Sequence, residues 1–352
     1  MRFVKPFLSY FFLSVLLFGS FACEDDSPND PVSGDIIIVN EGNFAQGNGS
    51  VSVYNRITEE VNNNVFAEAN AGRALGASIQ SITVAGNEAF IVCNVTDKIE
   101  IVNAETFEAL QDPLEDEGLI SPRYLDVVGN KAYVSVWGAF DENYMLPESK
   151  VAVIELDSFT VTQYIDTEDG PEDVQAIGDK VFVANSYTNQ LTVINTDTDE
   201  VDEVITLEGS PQWLAVHEND LWVSVTGAVS QFVRINPDNN DVEETIDVSG
   251  TNSNGKFTLN DELDMIYFIG AEPWPAVTTS VYTLSIDEAS ATPKKLISGN
   301  YYYAIGSDPL THNIFVSNSN SFQGEGTVLR YDTEGRLLDT YPAGVGPNDF
   351  VF

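Results

Sequence analysis

Cysteine is nearly absent from this chain, with Cys23 and Cys93 the two in 352 residues. A disulfide framework is thereby excluded. Histidine is as scarce, His217 and His312 standing alone, so a multi-histidine metal centre or a paired imidazole base is hard to assemble. Positive charge is also short: 15 Lys and Arg face 55 Asp and Glu, a formal net charge of -40 at pH 7. Such a surface repels phosphate backbones and anionic lipid faces, which argues against nucleic-acid binding and against docking on a membrane by charge. No Gly-rich phosphate cradle and no Ser/His/Asp set is legible, so no cofactor is implied. What the chain does have is apolar material, 43% of its residues, enough for a large core.

Residues 1 to 22 stand apart from the rest. Arg2 and Lys5 give a positive start, Phe7 to Phe18 form an apolar stretch too brief to span a bilayer comfortably, and Ser20-Phe21-Ala22-Cys23 forms a cleavage site. This is similar to a bacterial lipoprotein signal, with Ser20 where such signals usually carry Leu and Cys23 as the lipidated N-terminus. A plain secretory signal is the alternative. Glu24-Asp25-Asp26 resembles the acidic export tag of surface lipoproteins in Bacteroidota-type bacteria. Residues 23 to 33, acidic and carrying Pro28 and Pro31, read as a tether. Cys93 then remains alone inside the apolar run FIVCN, where a cysteine is expected to act as a small buried hydrophobe.

The rest of the sequence repeats one unit, clearest from Val181 to Val216: VFVANSYTNQLTVINTDTDEVDEVITLEGSPQWLAV. It alternates apolar runs with polar turns and implies four strands. Seven copies of its second strand can be aligned, at 36–41, 89–94, 132–137, 181–186, 221–226, 266–271 and 314–319. Six carry an aromatic at one register, Phe90, Tyr133, Phe182, Trp222, Tyr267 and Phe315, which is expected to wedge between neighbouring sheets. The turns after the third strands are rich in Asp, Asn and Thr. Among them NTDTDE, residues 195–200, has carboxylates at alternate positions but lacks the glycine and terminal glutamate of a hand-type calcium loop, so a turn built on Asx chemistry is expected.

First strands open at Gly/Pro signals such as SPRYLDVV, GPEDVQAI and SPQWLAVH, spaced about 40 to 50 residues apart, the period of propeller blades. The copy at 36–41 has no such strand before it. The chain ends instead on GPNDFVF, a first strand with nothing after it. Circular closure accounts for both, and the fold predicted over residues 34–352 is an all-β, seven-bladed β-propeller of four-stranded antiparallel blades, its first blade completed by the C-terminal strand.

The repeat resembles the YVTN-type seven-bladed propeller. The opening IVNEGNFAQGNGSVSVYN, with the lipoprotein start, further resembles the surface propeller lipoproteins of Bacteroidota, whose best understood members capture cobalamin over a TonB-dependent transporter. The resemblance implies a non-catalytic, outer-membrane, lipid-anchored protein that binds a small molecule, a corrinoid above all, with the transporter as partner.

In a four-stranded meander the loops between second and third strands, and those leading into each blade, emerge on one face. The former carry Phe44, Trp137, Phe140, Tyr144, Tyr187, Trp274 and Phe322. The latter add Arg123, Tyr124, Asp173, Gln212, Trp213, Lys256, Tyr301, Tyr302 and Asn348. Large aromatics on surface loops point to a ligand-binding face for a bulky amphipathic molecule, a corrinoid or a glycan, although Trp137 and Trp213 can equally cap blade tops. An adhesion or protein-interaction scaffold is the second reading. Carboxylate chemistry, a hydrolase or lyase, would draw on Asp141, Glu142, Glu172, Asp173 or Asp349.

Overall fold

The computed structural model describes Met1 and residues 35–260, 262, 264–271, 278–286 and 292–352. The expected signal segment beyond Met1, Cys23, the expected tether and Trp274 lie outside the described residues. Seven antiparallel sheets of four strands each form the ring of a β-propeller. The inner strands, in blade order, are Pro347–Val351, Ile79–Ala85, Pro122–Val128, Pro171–Ile177, Ser210–His217, Asn252–Asn260 and Tyr302–Ser307. Ile79–Ala85, the second of these, begins without the Gly-Pro or Ser-Pro signal that marks its counterparts in blades three to five.

Each second strand is apolar on both faces because it is covered on both. Seven core clusters result, one at every boundary between blades. Phe90, Tyr133, Phe182, Trp222, Tyr267 and Phe315 are all essentially buried, and each belongs to the cluster shared with the blade that follows. Blade one places Ile37 there. Burying one such side chain stabilises the fold by about 1.5–3 kcal/mol, so the seven boundaries supply much of its cohesion.

The turns after the third strands have the expected chemistry. Asn195 Oδ1 accepts from the backbone N–H of Asp197 and Thr198 at 3.0 and 3.1 Å, and Asn55 and Asn103 repeat the arrangement. In the NTDTDE turn Asp199 is already engaged, by Lys131 and by the Tyr133 hydroxyl at 2.6 Å each. Cys93 is buried, which pushes its thiol up to about 12 and leaves it unreactive.

The first blade closes the ring. Ile37, Ile38, Val39 and Asn40 pair with Val351, Phe350, Asp349 and Pro347. Backbone bonds from Glu41 N–H to Gly346 O (2.9 Å) and from Gly42 N–H to Val345 O (2.8 Å) extend the seam. Removing residues 346–352 would strip the inner strand from blade one and expose the unpaired edge of Ile36–Asn40. The truncated protein should lose cooperative thermal unfolding, read by circular dichroism; an unchanged melting curve would show that closure contributes nothing.

Candidate functional site

Every inner strand carries a register irregularity near its start. The shift falls between Ile79 and Ser81, Pro122 and Leu125, Pro171 and Val174, Pro211 and Trp213, Ser253 and Phe257, and Tyr302 and Ile305, and opposite Val39/Asn40 for the closing strand. A bulge re-aims the residues at the shift. Here it does so seven times around one axis. Two tiers of side chains result, just before the apolar residue that anchors each strand. One tier is Gln80, Arg123, Glu172, Gln212, Gly255, Tyr303 and Asn348; the next is Ser81, Tyr124, Asp173, Trp213, Lys256, Ala304 and Asp349.

In and beside these tiers a polar bond crosses each boundary and latches the blades together. Asn348 Nδ2 donates to Gln80 O (3.0 Å), Ser81 Oγ to Arg123 O (2.9 Å), and Ser135 Oγ to Glu172 O (2.6 Å). Leu214 N–H donates to Asp173 Oδ2 (2.8 Å), Ser224 Oγ to Gly255 O (2.6 Å), Ser307 N–H to Thr258 Oγ1 (3.1 Å), and Ser317 Oγ to Pro347 O (2.6 Å).

At the loop face the larger groups form a closed circuit around the channel. Gln80 Nε2 donates to the Tyr124 hydroxyl (2.9 Å), and the Tyr124 ring meets Trp213 edge-on at 5.0 Å. Lys256 sits over Trp213 (4.6 Å) and Tyr303 (5.1 Å) and donates to Asn348 O, while Asn348 returns to Gln80. Arg123 joins from the side, gripping Glu172 through Nε (2.9 Å) and Nη2 (2.5 Å), donating to Gln80 Oε1 (2.6 Å), and lying 4.0 Å over Trp137. Tyr303 donates to Glu41 Oε2 at 2.7 Å.

Burial decides the electrostatics. It pushes Asp173 well above the usual carboxylate range, with the Leu214 N–H pulling it back and Asp349 and Glu172 adding to the rise. Asp349 is raised by burial against the pull of Lys256. Lys256 is lowered by burial, although Asp349, Glu41 and Glu172 resist this. For Arg123 burial pulls downward, but Glu172 wins and the guanidinium is held more firmly charged. Burial and the nearby Glu172 push the Tyr124 hydroxyl far up, so it is a hydrogen-bonding group and not an acid. Two buried polar atoms here have no partner among the described residues, Asn348 Oδ1 and Trp137 Nε1.

Of the residues expected at the site, Arg123, Tyr124, Asp173, Trp213, Lys256 and Asn348 share this mouth. Gln212 borders it, with Nε2 3.4 Å from both Ser186 O and Ser210 O. Trp137 and Tyr187 form a second aromatic group with Phe140, at ring separations of 5.7 Å (Trp137–Tyr187) and 6.0 Å (Trp137–Phe140). Gly170 permits that approach: it has φ +72°, and a Cβ there would stand 2.5 Å from the Tyr187 ring. Phe322 packs on Tyr303 at 5.3 Å. Phe44 and Tyr144 are elsewhere, 73% and 79% exposed on the outer loops, and Tyr301 is exposed as well. Tyr302 does not reach the mouth: it is buried between blades six and seven, its hydroxyl 3.1 Å from that of Tyr331. Its neighbour Tyr303 is the mouth residue, and with Gln80 and Glu41 it was not foreseen. Aligning the inner strands on Ile82, Leu125, Val174, Leu214, Phe257, Ile305 and Phe350 is the signal that finds Tyr303 and Gln80.

The carboxylates considered for chemistry are mostly committed. Glu172 is held by Arg123, Asp173 accepts from Leu214 and Val174 N–H, and Asp141 caps its own loop by accepting from Asn143 and Met145 N–H. Among the described residues no group of three or more His, Cys, Asp or Glu is placed to hold a metal ion.

Comparison with known proteins agrees with this architecture. Residues 34–344 match the model of a family described as "Domain of unknown function (DUF5074)". Among curated proteins none matches. Among solved structures, the chain is similar to a quinonprotein alcohol dehydrogenase-like protein of Bacteroides thetaiotaomicron VPI-5482, at 12% identity and TM-score 0.68, covering 91% of this chain and 78% of that one. It is similar to a protein of Bacteroides fragilis NCTC 9343 described provisionally as a 6-phosphogluconolactonase, at 13% identity and TM-score 0.67, covering 93% and 100%. Kuenenia stuttgartiensis hydrazine synthase matches at 17% identity and TM-score 0.63, covering 76% and 87%. Identities this low show a shared fold alone.

The raised carboxyl of Asp173 has a testable sign. A folded-state pKa above the unfolded value, about 3.9 for Asp, contributes stability at low pH that is lost as pH rises through the folded pKa. Asp173→Asn, which cannot ionise, should therefore gain stability relative to the unaltered protein as pH is raised from about 4 to 7. Urea unfolding across that range measures it, and a relative loss would mean the ionised form is favoured.

Proposed function

The chain belongs to the DUF5074 family, and on that premise we propose that it is a non-catalytic binding propeller that captures a bulky amphipathic small molecule at the channel mouth. The observation that carries this reading is the juxtaposition of the Trp213 and Tyr303 faces and the Arg123–Trp137 stack with two buried polar atoms, Asn348 Oδ1 and Trp137 Nε1, that have no partner among the described residues. Aromatic planes give area and orientation, and unpaired polar atoms reward a ligand that completes them.

The finer reading rests on sequence resemblance. Cys23 anchors the protein by lipid to the outer face of the outer membrane, the ligand is cobalamin or another corrinoid, and a TonB-dependent transporter receives it. A corrinoid suits the mouth because its planar ring can stack while its amide periphery supplies donors and acceptors. The enzymatic names of the structural relatives are not carried over, since the fold hosts many functions and the mouth acids here are engaged in structural bonds.

One observation favours a protein-interaction role instead: Phe44, Tyr144 and Tyr187 are exposed on the loop face. That role predicts a protein partner recovered from outer membranes whose binding ignores small ligands.

Calorimetry with cyanocobalamin tests the proposal. Saturable binding at micromolar concentration or tighter is expected, weakened at least about tenfold, or about 1.4 kcal/mol, in Trp213→Ala. No heat at those concentrations removes cobalamin as the ligand.

A further inference from the structure

The opposite end of the channel holds a polar group that the scaffold neither needs nor satisfies. Asn260 ends the inner strand of blade six. It is 2% exposed, and among the described residues neither Oδ1 nor Nδ2 of its carboxamide has a hydrogen-bond partner. Buried side-chain polar atoms are nearly always paired, and leaving one unpaired is costly. The fold does not require polarity at this register. Three residues beyond the apolar anchor, blades two, three and four carry Ala85, Val128 and Ile177, while blade five carries His217, with Nε2 3.7 Å from Asp264 Oδ1. Blade seven carries Asp308 there, and Asp308 is fully engaged by Arg56, by the Thr311 hydroxyl (2.5 Å) and by Leu310 N–H (2.9 Å).

Asn260 also lines a cleft of about 300 Å³ with Val216, Leu259, Pro309, His312 and Phe352. That volume is at the small end of ligand sites, and an apolar lining with one or two convergent polar groups is their usual chemistry. The hydroxyl of Thr258 on the same wall is already used, accepting from Ser307 N–H. His312 Nε2 lies 3.1 Å from Glu262 Oε2 at the rim. A carboxamide presents a donor and an acceptor side by side and is best completed by a group that does the same. The net charge of -40 and the rim carboxylate of Glu262 disfavour an anion.

We propose that this cleft is a second binding site, for a small neutral molecule with a planar apolar body and a terminal carboxamide. The ligand amide pairs with both polar atoms of Asn260, and its body lies against Val216, Leu259 and Phe352. The site is at the far end of the channel from the mouth, so its success or failure is separable from that of cobalamin capture.

Benzamide is the probe, titrated into the full chain by ligand-observed NMR and calorimetry, with toluene as the control that lacks the amide. Saturable benzamide binding is expected at about 1 mM or tighter, with toluene at least about tenfold weaker. Asn260→Leu should abolish the difference between the two probes without lowering the melting temperature, because it removes an unsatisfied polar group and keeps a similar volume. Val216→Trp, at a half-exposed wall position, should block both probes while leaving Asn260 in place. Absence of saturable benzamide binding would mean that Asn260 is satisfied by water alone and would overturn the proposal. So would benzamide binding that is unchanged in Asn260→Leu, or a marked loss of stability in that variant.

Discussion

The pairing of Pro347–Val351 with Ile36–Asn40 is the constraint on which the rest of this molecule depends. A four-stranded blade has two apolar faces and can cover neither by itself, so every blade needs two neighbours. Six boundaries follow from stacking along the chain. The seventh exists only because the last segment returns to the first blade, and it brings Phe350 against Phe315, at 6.1 Å, as part of a core like the other six. Closure thus converts a stack with two open faces into a ring with none.

Closure also creates the site. The bulges at the heads of the inner strands occur one per blade and gather the side chains of several blades at the mouth. They concentrate charge where water is scarce, which is why Arg123 is locked to Glu172 while Asp173, Asp349 and Lys256 shift toward their neutral forms. Two of the mouth residues, Asn348 and Asp349, belong to the closing strand. Fold integrity and the composition of the mouth are therefore one property.

The architecture was legible in the sequence because it is carried by repetition. Apolar second strands with an aromatic at a fixed place, Gly-Pro or Ser-Pro before several first strands, and a first strand missing from the first copy but left over after the last one sufficed to give blade number and closure. The second blade was the hard one, since Ile79–Ala85 has no counterpart of Pro122, Pro171 and Pro211, which mark the heads of the inner strands in blades three to five. The site was less legible. Loop membership located Arg123, Trp213, Lys256 and Asn348, but strand alternation alone could not say which of Tyr301, Tyr302 and Tyr303 faces the axis, because the bulge shifts the phase by one. Glu41 was hidden for another reason. It reaches the mouth from the loop that follows a second strand, through a bond to Tyr303 across 262 positions of sequence.

The two ends of the channel differ in a way the repeat does not require. At the loop face the large polar groups of the mouth are tied to one another, Arg123 to Glu172 and Gln80, and Tyr303 to Glu41. At the far face Asn260 stands unsatisfied beside an apolar cleft. Both follow from residues placed on a closed ring, and hydrogen exchange tests that ring most directly. Native-state amide exchange should show Ile38, Val39 and Phe350 protected to the same free energy as Val174 and Val183 in blade four, all opening together in one global event. Exchange at the terminal seam that is faster by orders of magnitude than in blade four would contradict it, because the closing strand would then be a frayed end and not the seventh boundary.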